Sequence, residues 1–540
     1  MKDKAGIERR PFVALLSLRA AIGLAALLSA AIILLLQRYS FTFVDEGGNL
    51  YFGLRLSQGA TLYRDVFTHH FPFPYYFVAI AIQVGGRSIG VVRSATILFQ
   101  LVCFALIVWR TRYYLSTGLA ALVWSIVAYL YFGNLVLYDV FKGAALLVVF
   151  AVSLSIVLKR TPQLTADAVV LGVMSSIAVL SDPYSTYSVG LALAMLWDAR
   201  GASGARLLPR IVAVGGIIGG LYALHLLTTG TIHYFWSSAI AYNWNTYLTF
   251  ASDSTFPWAR FLQKLLIGND IFDARWLRLA PAQSIEWPNQ APDHWLFTGF
   301  LYRAAVLVAA LDLVRCKRYR AAIFVYLWSV ILATLRGEVR YHGIAFVLTG
   351  LFLASAMASR ELDSPDAPAP RLFLSGFSRL GQFGLAVGLI WLAVCCGTTT
   401  IRQWENRTYD ATFLPYEKQV DLINRLSCGR SDVRFSYLPW DLTLNFFADR
   451  QPVGRYGYLF PWVLEDGLPD IIGGLQDREA IVALDLEGRL GPFENKIWME
   501  PVKGFLDENY EYLGQGIWRS PGLRKSCAAI AVPSWARWSR

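Results

Sequence analysis

The stretch FTFVDEGGNLYFGLRLSQGATLYRDVFTHHFPFPYYF, residues 41–77, decides how the rest of the chain is read. It sets two adjacent carboxylates, Asp45 and Glu46, just after a long apolar segment. A polar passage with His69, His70, Pro72 and Pro74 follows, and then a second apolar run begins. Charged groups are expensive within a bilayer and gather where a span meets water or a polar cavity. An acidic pair in that place marks either a plain span end or a site built on it.

Composition supports a membrane setting. Of 540 residues, 55% are hydrophobic and 16% charged, with a mean hydropathy of +0.43. Soluble chains carry about 25% charged residues. Apolar runs near bilayer-crossing length, roughly 17–25 residues, recur from Phe12 to Thr399, and the text beyond is polar and mixed. The expected fold is a polytopic α-helical membrane protein, residues 1–399, with an external α/β domain over residues 400–540. The 18 Trp and 27 Tyr suit much interfacial surface. The net charge of +11 does not point to nucleic acid. The basic residues cluster in short loops between apolar runs, as positive-inside topology requires. The leading MKDKAGIERRPF is basic, and the run after it is too long for a signal-peptide core. It reads as a retained first span that starts in the cytoplasm.

The loops decide the topology. Apolar runs cover roughly residues 12–36, 72–84, 89–109, 115–132, 143–158, 164–180, 184–198, 210–229, 296–314, 320–335, 341–358 and 380–399. The basic loops are Arg110/Arg112, Lys159/Arg160, Arg200–Arg210, Arg315–Arg320 and Arg360–Arg379. If every run spans, strict alternation puts these loops outside. If residues 72–84 lie along the interface, all of them fall in the cytoplasm. That run is short and opens with Pro72 and Pro74, as interfacial helices often do. About eleven spans are therefore expected, with the N-terminus inside and the C-terminus outside. The outward pieces then hold Asp45, Glu46, His69, His70, Asp139, Lys142, Asp182, Arg336, Glu338, Arg340 and His342.

The first loop resembles that of a known family. An acidic residue at the outer end of the first span, then LSQGATLYRD, then HHFPFPYYF, is similar to the first external loop of GT-C polyprenyl-phosphate-sugar glycosyltransferases. The nearest group in that superfamily is the glycosyltransferase family 39-like one, with protein O-mannosyltransferases and the lipid A aminoarabinose transferase. YDVFK, Tyr138–Lys142, resembles the family's second acidic position. VRYHGIAF, Val339–Phe346, resembles an Arg-Tyr pair that opens a late span there. FFADRQPVGRYGYLFPW, residues 446–462, looks like part of the external domain of bacterial members. Where the family often has Lys or His before two consecutive prolines, this chain has HHFPFP.

The resemblance implies a GT-C fold with interfacial helices in the first loop. It also implies sugar transfer, with inversion, from a lipid-linked phosphate to an extracytoplasmic glycan, lipid or protein. Such chemistry needs a carboxylate to take the acceptor's proton and cationic or backbone donors for the phosphate that leaves. Asp45 matches the base position. Glu46 cannot share its face of a helix, so an orienting or acceptor-binding role is expected. Asp139 is the second acidic candidate, for acceptor contact or charge balance. Arg340 is the preferred phosphate ligand, because its planar fork grips two oxygens. Tyr341, Lys142 and Arg336 are further candidates, and His69 and His70 either help hold the donor phosphate or fix the loop. No metal or other cofactor is expected. Asp182, in SDPYSTY, reads as a cap on the next helix, with Pro183 at its first position. The expected setting is a bacterial inner membrane.

In the tail, YEKQVDLINRL has helical spacing, while DVRFSYL and AIVALDL read as short strands. FLDENYEYLGQGIWRS reads as a helix end leading to a strand. Asp485 and Glu487 form a DxE pattern that reads as a strand end with a turn. Neither GxGxxG nor a P-loop occurs, which argues against nucleotide binding. Cys428 and Cys527 are the two cysteines of the external part and are expected to join in an oxidising compartment. Two rival readings stay open. A flippase or transporter would show paired half-repeats with broken helices near mid-bilayer, and no internal repeat is visible. A polysaccharide polymerase or ligase keeps the same chemistry, and the aromatic 230–295 loop is compatible with it.

Overall fold

The structure is a computed structural model. It describes residues 44–111, 136–158, 162–199, 201–247, 293–335, 344–362, 414–439, 441–490, 493–526 and 532. The opening stretch folds as two short helices, α1 (Val44–Ser57) and α2 (Phe73–Gly85), joined by a loop that carries both histidines. Longer helices follow: α3 (Ile89–Thr111), α4 (Tyr138–Val157), α5 (Leu164–Ser181), α6 (Ser185–Ala199) and α7 (Gly201–Thr228). After α7 comes a helical turn, Ile232–Phe235, and two π-helical segments, Trp236–Ala241 and Asn243–Tyr247. The later helices are α8 (Asp293–Arg315), α9 (Tyr319–Leu335) and α10 (Ile344–Leu362).

Among the described residues, four helices are long and apolar enough to cross a membrane by length and composition: Ile89–Thr111, Tyr138–Val157, Leu164–Ser181 and Arg206–Thr228. Their packing differs. α4 is apolar all round and almost wholly buried, as the central helix of a bundle must be. α7 leaves Val212, Ile217, Leu221, Leu224 and Leu227 uncovered. In water such a contiguous apolar surface would be a liability, whereas lipid is its natural neighbour. The 13-residue α2 rises only about 20 Å, short of the hydrocarbon core.

Two loop charges are not what the sequence suggested. Arg110 closes α3 but is buried. Its guanidinium bonds Asp167 Oδ1 of α5 at 2.7 and 2.8 Å and Gln163 Oε1 at 2.8 Å. Arg315 pairs with Asp312 one turn back at 3.1 Å. Arg110 fastens α3 to α5, and Arg315 is spent within its own helix, so neither is a free loop cation.

The C-terminal part forms a mixed sheet. Its strands are β1 (Arg434–Leu438), β2 (Ala480–Leu484), β3 (Glu511–Gly514) and β4 (Ile517–Arg519), in the order β1-β2-β4-β3. β1 and β2 run parallel, with Phe435 opposite Ile481, and β4 and β3 complete an antiparallel hairpin. The segment expected to give a helix end and one strand thus supplies helix α14 (Glu500–Asn509) and both strands of that hairpin. β2 alternates between two apolar cores. Ile481 and Ala483 join that of α11 (Leu414–Leu426). Val482 and Leu484 join that of α13 (Leu464–Asp477) and α14. A period of two along a strand produces this division. Cys428 is disulfide-bonded, and Cys527 lies outside the described residues.

The chain between β1 and α13 docks on the first loop. Helix α12 (Thr443–Ala448) lies against α1, and Gly47 makes the approach possible. A Cβ there would stand 1.9 Å from Thr443 Oγ1. Farther along, Phe67 N–H donates to Arg455 O at 3.1 Å, and Tyr242 Oη donates to Trp462 O at 2.8 Å. Leu442, Phe446, Tyr456, Tyr458 and Val463 enter the same apolar core as the helices.

Candidate active site

Helix α1 separates its two carboxylates. Asp45 and Asn49 are four residues apart and share a face. Asn49 Nδ2 donates to Val136 O at 2.7 Å, which brings that face to the start of α4 and so to Asp139. Asp45 is exposed, and Asp139 lies near enough to influence its charge. Desolvation, with the nearby Asp139 carboxylate second, pushes its pKa up to about 6. Both effects penalise the charged form of an acid.

Glu46 points the other way and is fully buried. Arg93 of α3 grips it with two parallel bonds, Nε to Oε1 at 2.9 Å and Nη2 to Oε2 at 2.6 Å. Both Glu46 oxygens are thereby engaged. Arg93 was not singled out in the sequence. A lone arginine inside an apolar run was the available signal, since such a charge needs a partner.

Asp139 sits in the first turn of α4, where a helix favours negative charge. Lys142 lies one turn on, between two carboxylates. Its Nζ is 2.8 Å from Asp139 Oδ1 and 2.6 Å from Asp182 Oδ2. All three are buried. The expected phosphate ligand is, in this structure, a bridge between two acids. Asp182 also exceeds its expected role. Its Oδ1 does accept Tyr184 N–H at 3.1 Å, a capping contact ahead of α6. Its other oxygen carries the ion pair with Lys142, so a cap alone does not describe it.

His69 and His70 both face aromatic rings. His69 is buried, its Nδ1 lies 3.3 Å from Tyr458 Oη, and its carbonyl accepts Asn243 Nδ2 at 2.6 Å. His70 stacks on Tyr138 with ring centroids 4.6 Å apart. Tyr63 Oη donates to His70 O at 3.0 Å. The loop is thus held from three sides: α4, the π-helical segment and the C-terminal part. Tyr458 is raised well above its usual pKa, by burial first and then by neighbours that include Asp45. It stays a neutral hydroxyl within the influence of Asp45. Among the described residues, no three His, Cys, Asp or Glu side chains converge as a metal would need. Arg336, Arg340 and Tyr341 lie outside the described residues.

A second cavity, of about 480 Å³, opens beside the end of β2 and includes Asp485, Glu487, Lys503, Asp507, Tyr512 and Trp518. Asp45 does not line it. Asp485 Oδ1 accepts Gly488 N–H at 2.9 Å, which is the turn expected of the DxE pattern.

The chain matches no protein-family model, and no curated protein gives a significant match. Solved structures do resemble it. The archaeal oligosaccharyltransferase AglB from Archaeoglobus fulgidus, in complex with an inhibitory peptide and a dolichol-phosphate, is 12% identical at a TM-score of 0.48, over 88% of this chain and 70% of that one. ArnT from Cupriavidus metallidurans bound to undecaprenyl phosphate is 13% identical at a TM-score of 0.47, over 88% and 94%. The same ArnT in the apo state is 12% identical at a TM-score of 0.45, over 87% and 93%.

Proposed function

We propose that this chain is an integral membrane glycosyltransferase of GT-C type, which moves a sugar from a polyprenyl-phosphate donor to an extracytoplasmic acceptor with inversion. The observation that carries this reading is the division of labour on α1. Of two adjacent acids, one is locked in a buried ion pair, and the other stays open to solvent with its pKa raised to about 6. A general base works best with a pKa close to the operating pH.

In the proposed reaction the acceptor's nucleophilic oxygen attacks the anomeric carbon from the face opposite the phosphate. Asp45 takes the proton as the new bond forms. The carbon–oxygen bond to the phosphate breaks, and the phosphate departs with the electron pair. Glu46, held by Arg93, fixes the helix that carries the base. Asp139 stands beside the acceptor side of the site, with Lys142 and Asp182 behind it. Arg340, Tyr341 and Arg336 are proposed to receive the phosphate, with His69 and His70 holding the loop. The lipid tail would keep the phosphate at headgroup depth, where span ends and loop ends meet. The reaction as proposed uses no metal, so chelators should leave it unchanged.

The same reading has about eleven spans and α1 and α2 lying on the outer face of a bacterial inner membrane. Residues 400–540 then form an extracytoplasmic domain over the site. The partners are the donor lipid, the bilayer and a glycan, lipid or protein acceptor, without nucleic acid. A polymerase or ligase of the same chemistry would differ only in the acceptor.

The test uses the full chain reconstituted with polyprenyl-phosphate sugars, with glycolipids and glycans read by mass spectrometry. Asp45→Asn keeps the shape of the side chain but cannot take a proton. Transfer should fall roughly 100–10,000-fold while donor binding persists. Transfer at near wild-type rate would place the base elsewhere, with Asp139 the next to replace.

A further inference from the structure

We infer that Arg455 binds an oxyanion, phosphate or carboxylate, carried by the acceptor substrate. The inference rests on the glycosyltransferase reading and narrows it to acidic acceptors.

Arg455 belongs to the segment FFADRQPVGRYGYLFPW, and its carbonyl is pinned to the first loop by Phe67 N–H at 3.1 Å. Its guanidinium carbon lies 5.0 Å from the ring centre of Tyr456, 5.7 Å from that of Phe67 and 6.0 Å from that of Tyr234. Three rings from three parts of the chain therefore fix one cation. Yet its donors are almost unused. Nη2 reaches Tyr456 Oη at 3.1 Å, and Nε is buried without a hydrogen-bond partner. Asp470 of α13, which reaches the neighbouring residue, accepts Tyr456 N–H at 3.0 Å. Among the described residues, no carboxylate forms an ion pair with Arg455. Three well-buried arginines are matched with acids, Arg93 with Glu46, Arg110 with Asp167 and Arg519 with Glu511, while Arg434 and Arg450 spend donors on amide and hydroxyl oxygens. A planar fork stacked on rings and left with open donors is preorganised for a planar or tetrahedral oxyanion.

Its position selects the acceptor over the donor. Phe67 stacks on Tyr456 at 4.2 Å and also contacts Tyr242 and Tyr458. Tyr458 in turn meets His69 and senses the charge on Asp45. The aromatic chain from Arg455 therefore runs through Phe67 and Tyr458 to His69 in the loop that follows the base's helix. In an inverting displacement the base and the incoming acceptor share one face of the sugar carbon, and the leaving phosphate occupies the other. An anion site reached from the base side serves the group that comes in.

The experiment reads binding without turnover, so it stands apart from the test of transfer. Full-length protein is placed in phosphatidylcholine nanodiscs, which carry no net headgroup charge, and titrated with glucose 6-phosphate, glucose and undecaprenyl phosphate. Wild type should bind glucose 6-phosphate and ignore glucose. Arg455→Gln should weaken glucose 6-phosphate binding by about tenfold or more, the scale of one charge-assisted contact. Arg455→Lys should recover part of it, because the point charge returns without the fork. Undecaprenyl phosphate affinity should stay within about twofold of wild type in both variants, which also reports that the fold survives. Unchanged glucose 6-phosphate binding in Arg455→Gln would overturn the inference. A parallel loss of undecaprenyl phosphate would overturn it too, since the anion would then be the donor's.

Discussion

An α-helix turns about 100° per residue, so neighbouring acids on one helix meet different surroundings. Asp45 and Glu46 exploit this, one open to solvent and one in the bundle. Because desolvation and Asp139 lift Asp45 to about 6, the carboxylate that a base requires predominates above that pH and fades below it. The transfer rate should rise with pH through about 6 and then level off. Asp139→Asn removes the like charge but not the desolvation, so the acid limb should move to lower pH. A pH–rate midpoint that does not move would mean that the two acids do not communicate. Asp182 shows how a residue's role depends on what reaches it. As a cap alone it would tolerate Asn with little effect. Since it also holds the buried Lys142, Asp182→Asn should lower stability by roughly 1.5–3 kcal/mol, the scale of a hydrogen bond to a charged group. Thermal unfolding of the purified variant gives that figure, and a variant as stable as wild type would reduce Asp182 to its capping contact.

At the scale of elements, α1 is held on three sides. α3 grips it through Glu46–Arg93, α4 through Asn49, and α12 through the close approach at Gly47. The ion pair is the most demanding of these, because removing one member leaves a charge buried without a partner. Arg93→Met should destabilise the protein by roughly 3–5 kcal/mol. Adding Glu46→Gln to it should recover much of the loss, since neither charge then remains. Melting temperatures of the two variants decide the matter: if the double variant is no better than the single one, the pair contributes through shape and not charge. Activity in the double variant should remain below wild type, because α1 would lose the fork that sets its orientation.

For the whole molecule, the topology depends on α2 not crossing the bilayer. Its 13 residues fit a helix that lies at the surface rather than one that crosses. A reporter fused after Gly86 should therefore read extracytoplasmic. A cytoplasmic signal would invert every later loop and put Asp45 and the C-terminal sheet on opposite sides. Arg110, being buried against Asp167, does not count as a loop charge. The basic Arg200–Arg210 and Lys317–Arg320 stretches still point the same way.

Local periodicity was enough for much of this. The lengths of α3, α5 and α6, the short apolar run of α2, and the strands β1 and β2 all follow from patterns a few residues long, while the helix α1 was expected only from the resemblance. The acid pair at the start of α1 follows likewise, because polarity is a local property, while the span expected before it lies outside the described residues. The partners were not legible. Arg93 is 47 residues from Glu46, and Asp182 is 40 from Lys142. Which buried charges meet depends on how whole helices cross, and a helix repeat contains no record of that. The docking of residues 443–463 on the first loop, and with it the rings around Arg455, was likewise decided by tertiary packing. The sequence named Asp45 as an acid at a membrane surface. Only the packing around it, through desolvation first and Asp139 second, raises its pKa toward the value a base would use.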